Sequence, residues 1–148
     1  REMRAAVGDR MILAAGKMHA SGVLSEGADS ILSMAEIDAF AAAGADIILL
    51  QAPGTVPGVT LERAAARIRH IHEDDKLALT AVGTSQEGAD EATIRQIALL
   101  CKQAGTDIHH MGDSGLPGIS VPQALQAYSI AIRGVRHTWH RMASGSGR

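Results

Sequence analysis

Aromatic residues are almost missing from this chain of 148 residues: Phe40, Tyr128 and Trp139 are the whole complement. Platforms for stacking bases or sugar rings are therefore not expected, and the core must be assembled from Ala, Ile, Leu, Val and Met, which the 46% apolar content supplies amply. Cysteine is reduced to Cys101, so no disulfide can form within the chain; its place in the series Ile94, Ile97, Ala98, Cys101 is that of a buried small hydrophobe. Charge of one sign is lacking too. A formal net charge of −2 leaves no electrostatic footprint for nucleic acid or an anionic membrane and points to a small-molecule substrate. No run of ~18 apolar residues and no basic segment leading into an apolar one is present. The expectation is a cytoplasmic protein with neither a nucleic acid nor a membrane as partner.

What the chain does contain, it contains twice. Ala43-Gly44-Ala45-Asp46-Ile47-Ile48-Leu49-Leu50, followed by Gly54-Thr55-Val56-Pro57-Gly58-Val59, matches Ala104-Gly105-Thr106-Asp107-Ile108-His109-His110-Met111, followed by Gly115-Leu116-Pro117-Gly118-Ile119. A second pair, the apolar runs from Met11 to Lys17 and from Leu77 to Thr84, precedes each copy. Short apolar runs that end in loops read as buried parallel strands, here 11–16, 46–50, 77–82 and 107–111. Helices are expected from Met34 to Ala43, from a Thr60 N-cap to His72, from the acidic turn after Asp90 to Gln103, and from near Ser120, with Pro122 in the first turn, to Arg133. Strands alternating with helices call for right-handed crossovers and a parallel sheet. No strand leads into Gly-x-Gly-x-x-Gly, which argues against a dinucleotide-binding layer. The chemically rich loops follow strands, as in a barrel. The expected fold is α/β: one domain over 1–148, built as two (βα)2 repeats that make a (βα)4 half of an eight-stranded barrel. Four strands leave two open edges and an uncovered face, so two chains are expected to close one barrel as a homodimer.

Barrel chemistry sits where strands end. After the first strand come Lys17 and His19, two apart and so expected on one side; a lysine near apolar walls can serve Schiff-base chemistry, with an ion pair to Asp113 or Glu87 as the alternative. After the third, Thr84, Ser85 and Gln86 offer polar groups to a substrate, and Glu87 is the best carboxylate for acid or base work. After the fourth come His109, His110 and Asp113, then Ser114 and Gly115; only one of the two histidines can face the interior. The loops after the last two strands resemble the places where barrels bind phosphate. Gln51 ends the second strand as pocket wall or substrate contact. Glu87, Asp113, Lys17, His19 and His110 are thus the candidate catalytic set. No metal-ligand spacing such as His-Glu-x-x-His occurs, so no metal ligand is assigned. A divalent metal on the scattered set His19, His109 or His110, Glu87 and Asp113 is the alternative to histidines satisfied by hydrogen bonds, and no cofactor is certain. His70 and His72, beside Arg67 and Arg69, read as a solvated helix face. The basic stretch around Trp139 reads as a helix across the barrel bottom or against a neighbouring chain.

The segments Gly16-Lys17-Met18-His19-Ala20-Ser21-Gly22, Gly83-Thr84-Ser85-Gln86-Glu87-Gly88-Ala89-Asp90, Asp107-Ile108-His109-His110-Met111-Gly112-Asp113 and Arg133-Gly134-Val135-Arg136-His137-Thr138-Trp139 resemble a bacterial family of uncharacterised TIM-barrel proteins. Its members carry loose names such as phosphoenolpyruvate phosphonomutase-like or haloacid-dehalogenase-like hydrolase. The resemblance covers almost the whole chain but only the C-terminal half of the family's length. It implies that the four strands here correspond to strands five to eight of a full barrel. The nucleophile motif Asp-x-Asp-x-Thr/Val of dehalogenase-type phosphatases is absent.

Together these residues lead to the expectation of a hydrolase acting on a small polar or anionic substrate, with Glu87 or Asp113 activating water, His19 or His110 moving protons and Lys17 countering negative charge. An aldolase or lyase using Lys17 as a Schiff-base nucleophile is the second reading, and a non-catalytic ligand-binding half-barrel the third.

Overall fold

The structure is a computed structural model and describes residues 1–17, 31–84, 86–112 and 120–145. Four strands, β1 (Ala14–Gly16), β2 (Ile47–Gln51), β3 (Leu77–Val82) and β4 (Ile108–Met111), lie side by side in chain order, and each neighbouring pair is parallel. Helices α2 (Met34–Ala42), α3 (Leu61–Glu73), α4 (Glu91–Ala104) and α5 (Pro122–Ala143) follow the strands in turn, and a short α1 (Glu2–Val7) precedes them. Consecutive parallel strands, each followed by a helix, are the architecture of half a (βα)8 barrel.

The helices form where local chemistry starts them and an apolar stripe holds them. Ser33 and Glu36 make a reciprocal capping box at the start of α2, the Thr60 hydroxyl accepts from the Arg63 amide, and the Asp90 carboxylate accepts from the Thr93 amide. Ala64, Arg67, Ile68 and Ile71 are buried along α3, and Ile94, Ile97, Ala98, Cys101 and Ala104 along α4, the spacing of one helical face. These faces meet one side of the sheet. Ile48 and Leu50 of β2 and Ala78 of β3 pack with the α2 and α3 residues, and Val82 packs with α4 and α5.

Among the described residues, no helix covers the opposite side. Strand alternation puts Ala14, Gly16, Ile47, Leu49, Gln51, Leu77, Leu79, Ala81, Ile108 and His110 there, and all of them are exposed or half-buried. In a closed barrel this is the interior wall.

Equivalent carboxylates tie each pair of strands. Asp46, just before β2, accepts from the Leu13 amide at 2.8 Å and pairs with Arg4; Asp107, just before β4, accepts from the Ala78 amide at 2.8 Å and bonds to the His72 ring at 2.7 Å. Ahead of each lies the same helix stop. Gly44 and Gly105 both take φ of 94°, and Ala45 and Thr106 each donate back to the last turn, to Phe40 and Cys101. The register equates Ala14 with Leu79, because both face the residue that follows the aspartate by one, Ile47 and Ile108. The terminal glycines of the two apolar runs are therefore not equivalent. Gly16 is demanded by close packing, since a Cβ there would lie 2.6 Å from the Leu49 carbonyl oxygen, whereas nothing crowds Gly83.

Three local expectations change. β1 begins at Ala14 rather than Met11, leaving Met11 and Ile12 exposed on an edge with no neighbouring strand among the described residues. Arg67 is not on a solvated face: it is buried and donates from Nε to the Leu32 carbonyl at 2.8 Å, so this part of α3 holds the segment that leads into α2. The last helix runs past Arg133 but breaks at Gly134, with φ 79° and ψ 166°. Ser129 and Thr138 then hydrogen-bond at 3.0 Å, although nine residues of straight helix would separate them by ~13 Å. The basic segment thus folds back on the first part of α5 instead of crossing the barrel bottom, burying Thr138 and leaving Trp139 exposed.

His70 couples this helix layer to pH. Its Nε2 lies 2.6 Å from Asp38 of α2 and its Nδ1 3.4 Å from Glu73, and the bond to Asp38, more than the opposing burial, raises its pKa above the ordinary 6.5. A raised folded-state value means that the stabilisation is complete below 6.5 and is lost as pH rises through the folded pKa. The thermal midpoint should fall over that window in the wild type, and His70→Gln should flatten the fall; an identical pH profile for the variant would contradict this coupling.

Candidate functional site

The register of the sheet sets three levels on the uncovered face. Gly16, Leu49, Leu79 and Ile108 form an apolar level; Gln51, Ala81 and His110 form the next, toward the C-terminal ends of the strands. Beyond them the chain continues as Gly83 after β3 and Gly112 after β4. Neighbouring strands lie ~4.8 Å apart, so Gln51 and His110 flank the Ala81 methyl as two polar walls ~10 Å apart. Gly112 is buried, and a Cβ there would meet the Val82 carbonyl oxygen at 2.7 Å, so the β3 and β4 backbones close up beyond the row. Leu49, Gln51, Thr55, Ala81, Gly83 and Thr84 line a shallow cavity at this end of β2 and β3.

Adjacent histidines in a strand must part, and here they do. His109 turns into the helix layer, where its Nδ1 lies 2.8 Å from the Tyr128 hydroxyl and the rings meet edge to face. Burial, with Arg133 adding to it, lowers the His109 pKa, and burial raises that of Tyr128. His110 takes the uncovered face, is exposed, and makes no hydrogen bond among the described residues.

Lys17 stands just past β1, and its Nζ lies 3.2 Å from Glu36 Oε1 at the start of α2. This is neither of the carboxylates expected from sequence. The Ser33 amide and hydroxyl, followed by Lys17, hold the Glu36 carboxyl down to about 2. Glu36 could have been found as the last residue of the capping-box pattern Ser33-x-x-Glu36. The Lys17 carbonyl accepts from Gln51 Nε2 at 2.8 Å, so Gln51 bridges the ends of β1 and β2.

The loop after β3 is bound to itself. Thr84 has φ of 57°, unusual for a β-branched residue, and its hydroxyl donates to the Thr55 carbonyl at 2.6 Å. The Gln86 amide nitrogen donates to the carbonyls of Thr84 at 2.7 Å and Gly83 at 3.1 Å. This fastening sets up the 3-10 turn Gln86–Gly88, which carries Glu87. Glu87 is not an exposed loop residue. It is only 4% exposed, and its Oε2 is fully buried with no hydrogen-bond partner among the described residues. A carboxylate oxygen left bare in this way is costly and calls for a partner such as water, an ion or a ligand.

His19, Ser85, Asp113, Ser114 and Gly115 lie outside the described residues. Among the described residues no three or more His, Cys, Asp or Glu side chains gather as a metal site would require, and no helix is long and apolar enough to cross a membrane.

Curated relatives include proteins named "Putative N-acetylmannosamine-6-phosphate 2-epimerase" from Actinobacillus pleuropneumoniae serotype 5b (strain L20) and serotype 3 (strain JL03), each 39% identical over 87 residues. The match covers 59% of this chain and 32% of each relative, so the chain spans about a third of the length of these proteins. The named activity is an isomerisation. It overturns the expectation of a hydrolase, and it favours neither the Schiff-base lyase using Lys17 nor the non-catalytic half-barrel. None of these relatives is named as a phosphonomutase or a haloacid-dehalogenase-like hydrolase. The model of a domain of unknown function, DUF7916, matches residues 1–148, and the chain belongs to that family.

Proposed function

We propose that this chain is an isomerase of the epimerase type, moving a proton at a carbon beside a carbonyl in a small phosphorylated sugar, with Glu87 as a proton-transfer group. The observation that carries the reading is the bare, buried Glu87 Oε2 at the C-terminal end of β3. Epimerisation beside a carbonyl needs no water and no nucleophile. A base takes the proton from the carbon, the electron pair is delocalised onto the carbonyl oxygen, and a proton returns on the other face. A carboxylate shielded from water suits this chemistry, because solvent competes neither for its lone pair nor for the enolate. The substrate class rests on the names of the relatives, and the near absence of aromatic platforms suits recognition of a phosphorylated sugar by polar groups.

Glu87→Gln keeps the shape and removes the base. Interconversion of N-acetylmannosamine 6-phosphate and its C2 epimer should fall by ~10²–10⁴, the usual worth of a general base, while the thermal midpoint should not drop, because no hydrogen bond to Oε2 is lost. Wild-type turnover in this variant would remove Glu87 from the mechanism.

The proposal extends to the assembly. The edges of β1 and β4, unpaired among the described residues, and the half-buried wall of Ile47, Leu49, Leu79 and Ile108 are to be closed by four strands of a second copy. Continuing the β2–β3 register around the barrel would set Ile108 beside Ile12 of that copy, because Ile12 is the repeat equivalent of Leu77. Sedimentation at micromolar concentration should show a dimer, and a compact, soluble monomer would exclude closure by this route.

A further inference from the structure

We infer that Gln51 determines substrate specificity: its carboxamide oxygen accepts the N–H of an acylamino group seated in the small cavity at the C-terminal ends of β2 and β3. The choice of sugar rests on the epimerase reading, whereas the chemistry of the cavity stands on its own geometry. The cavity holds about 70 Å³ between Gln51 and Leu49 on one side and Ala81 and Gly83 on the other. One water takes ~30 Å³ of the liquid, so this space admits a substituent of a few heavy atoms and not a sugar ring.

Each polar side chain of the lining has its donor engaged elsewhere. Gln51 Nε2 donates to the Lys17 carbonyl at 2.8 Å, on the β1 side of β2, away from the β3 residues that complete the cavity. The Thr55 hydroxyl donates to the Ala52 carbonyl at 2.8 Å, and the Thr84 hydroxyl to the Thr55 carbonyl at 2.6 Å. What these side chains have left is acceptor capacity. Gln51 Oε1 is the freest of them, with no hydrogen-bond partner among the described residues, so the complementary ligand group is a donor. The Gly83 and Thr84 amides donate to no oxygen among the described residues and are the donors left in the lining for a carbonyl. Leu49, Val56 and Ala81 make the rest of the wall apolar, and no cationic side chain lines it to balance a phosphate.

An acylamino group joins these features in one planar unit: an N–H, a carbonyl and a short alkyl end. A hydroxyl would satisfy Gln51 but leave the apolar wall uncovered, and an ammonium would lose its water without gaining a carboxylate. In the proposed substrate this group hangs on C2, the carbon that exchanges its proton. Holding it therefore fixes the reacting carbon, and the Thr84 turn at the rim of the cavity leads into the turn that carries Glu87. Gly83 keeps the space open. Alternation puts its side-chain position on the face of Ala81, its φ is not in the left-handed region, and a Cβ there would meet nothing within 4 Å.

Titration calorimetry on the full chain tests this by comparing N-acetylmannosamine 6-phosphate with mannose 6-phosphate, which carries a hydroxyl in place of the acylamino group. Wild type should bind the acylamino sugar at least ~10-fold more tightly. Gln51→Leu removes the acceptor at similar volume, and Gly83→Val fills the space. Each should bring the two affinities to within about threefold by weakening the acylamino sugar alone. A Gln51 that serves only to bridge β1 and β2 would instead give a Gln51→Leu variant with a lower thermal midpoint and an unchanged preference. Equal affinities in wild type, or a preference retained in either variant, would overturn the subsite; if Gln51→Leu does not fold, Gly83→Val decides. A wild-type preference abolished by the variants, with no interconversion of the sugar and its C2 epimer, would support the subsite and remove the epimerase reading. A wild type that binds neither sugar would overturn both.

Discussion

Register is the constraint on which the rest of this molecule depends, and two aspartates set it. Asp46 and Asp107 stand one residue ahead of β2 and β4, and each accepts the backbone amide of the preceding strand, from Leu13 and Ala78. Each is delivered by a helix that stops on a left-handed glycine. A slip of one residue in a parallel strand would exchange its two faces, sending Ile48 and Leu50 to the uncovered side and His110 into the helix layer. The carboxylates make that slip costly, since it would break the bonds they accept from these amides. The Leu13 amide, with Arg4 as a second donor, holds the Asp46 carboxyl below the ordinary range, which keeps the anchor charged.

From register follows the division of labour between the faces. One side carries the apolar packing that stabilises the chain, and it absorbs the polar residues that cannot stay bare: His109 on Tyr128, Thr80 on Thr106, Arg67 on the Leu32 carbonyl. The other side carries little that stabilises an isolated half-barrel. Among the described residues its strands are apolar except for Gln51, which bridges to Lys17, and His110, and the turn at Thr84 beside it is held by a bond to the Thr55 carbonyl.

The order of strands and helices, the caps at Thr60 and Asp90 and the paired aspartate motifs could be read directly from the sequence, because each rests on local chemistry: apolar periodicity, a side-chain oxygen near a free amide, a glycine after a helix. What escaped reading depends on where chains meet. Alternation holds within a strand but lapses at its end, so the ion pair of Lys17 with Glu36 of α2 was not legible. Nothing local showed that the Gln86–Gly88 turn would bury Glu87. The first stretch of α5 ends at Arg133 as its pattern indicates, but only the backbone angles of Gly134 and the Ser129–Thr138 bond show that the chain reverses there. The two histidines were known to part, but packing against Tyr128 decided which went where. Chemistry was the least readable layer. A carboxylate and a histidine at a barrel mouth serve water activation and carbon-acid deprotonation alike, and the fold hosts both; the choice of epimerisation over hydrolysis came from the relatives.

The central proposal is that the bare oxygen of Glu87 takes a proton from the sugar carbon beside the carbonyl. A crystal structure of the chain with N-acetylmannosamine 6-phosphate bound tests it most directly. The account predicts the sugar above the Gln51, Ala81 and His110 row, with Glu87 Oε2 ~3–3.5 Å from C2. A sugar bound elsewhere, or one seated on that row while Glu87 Oε2 remains enclosed by protein alone, would contradict it.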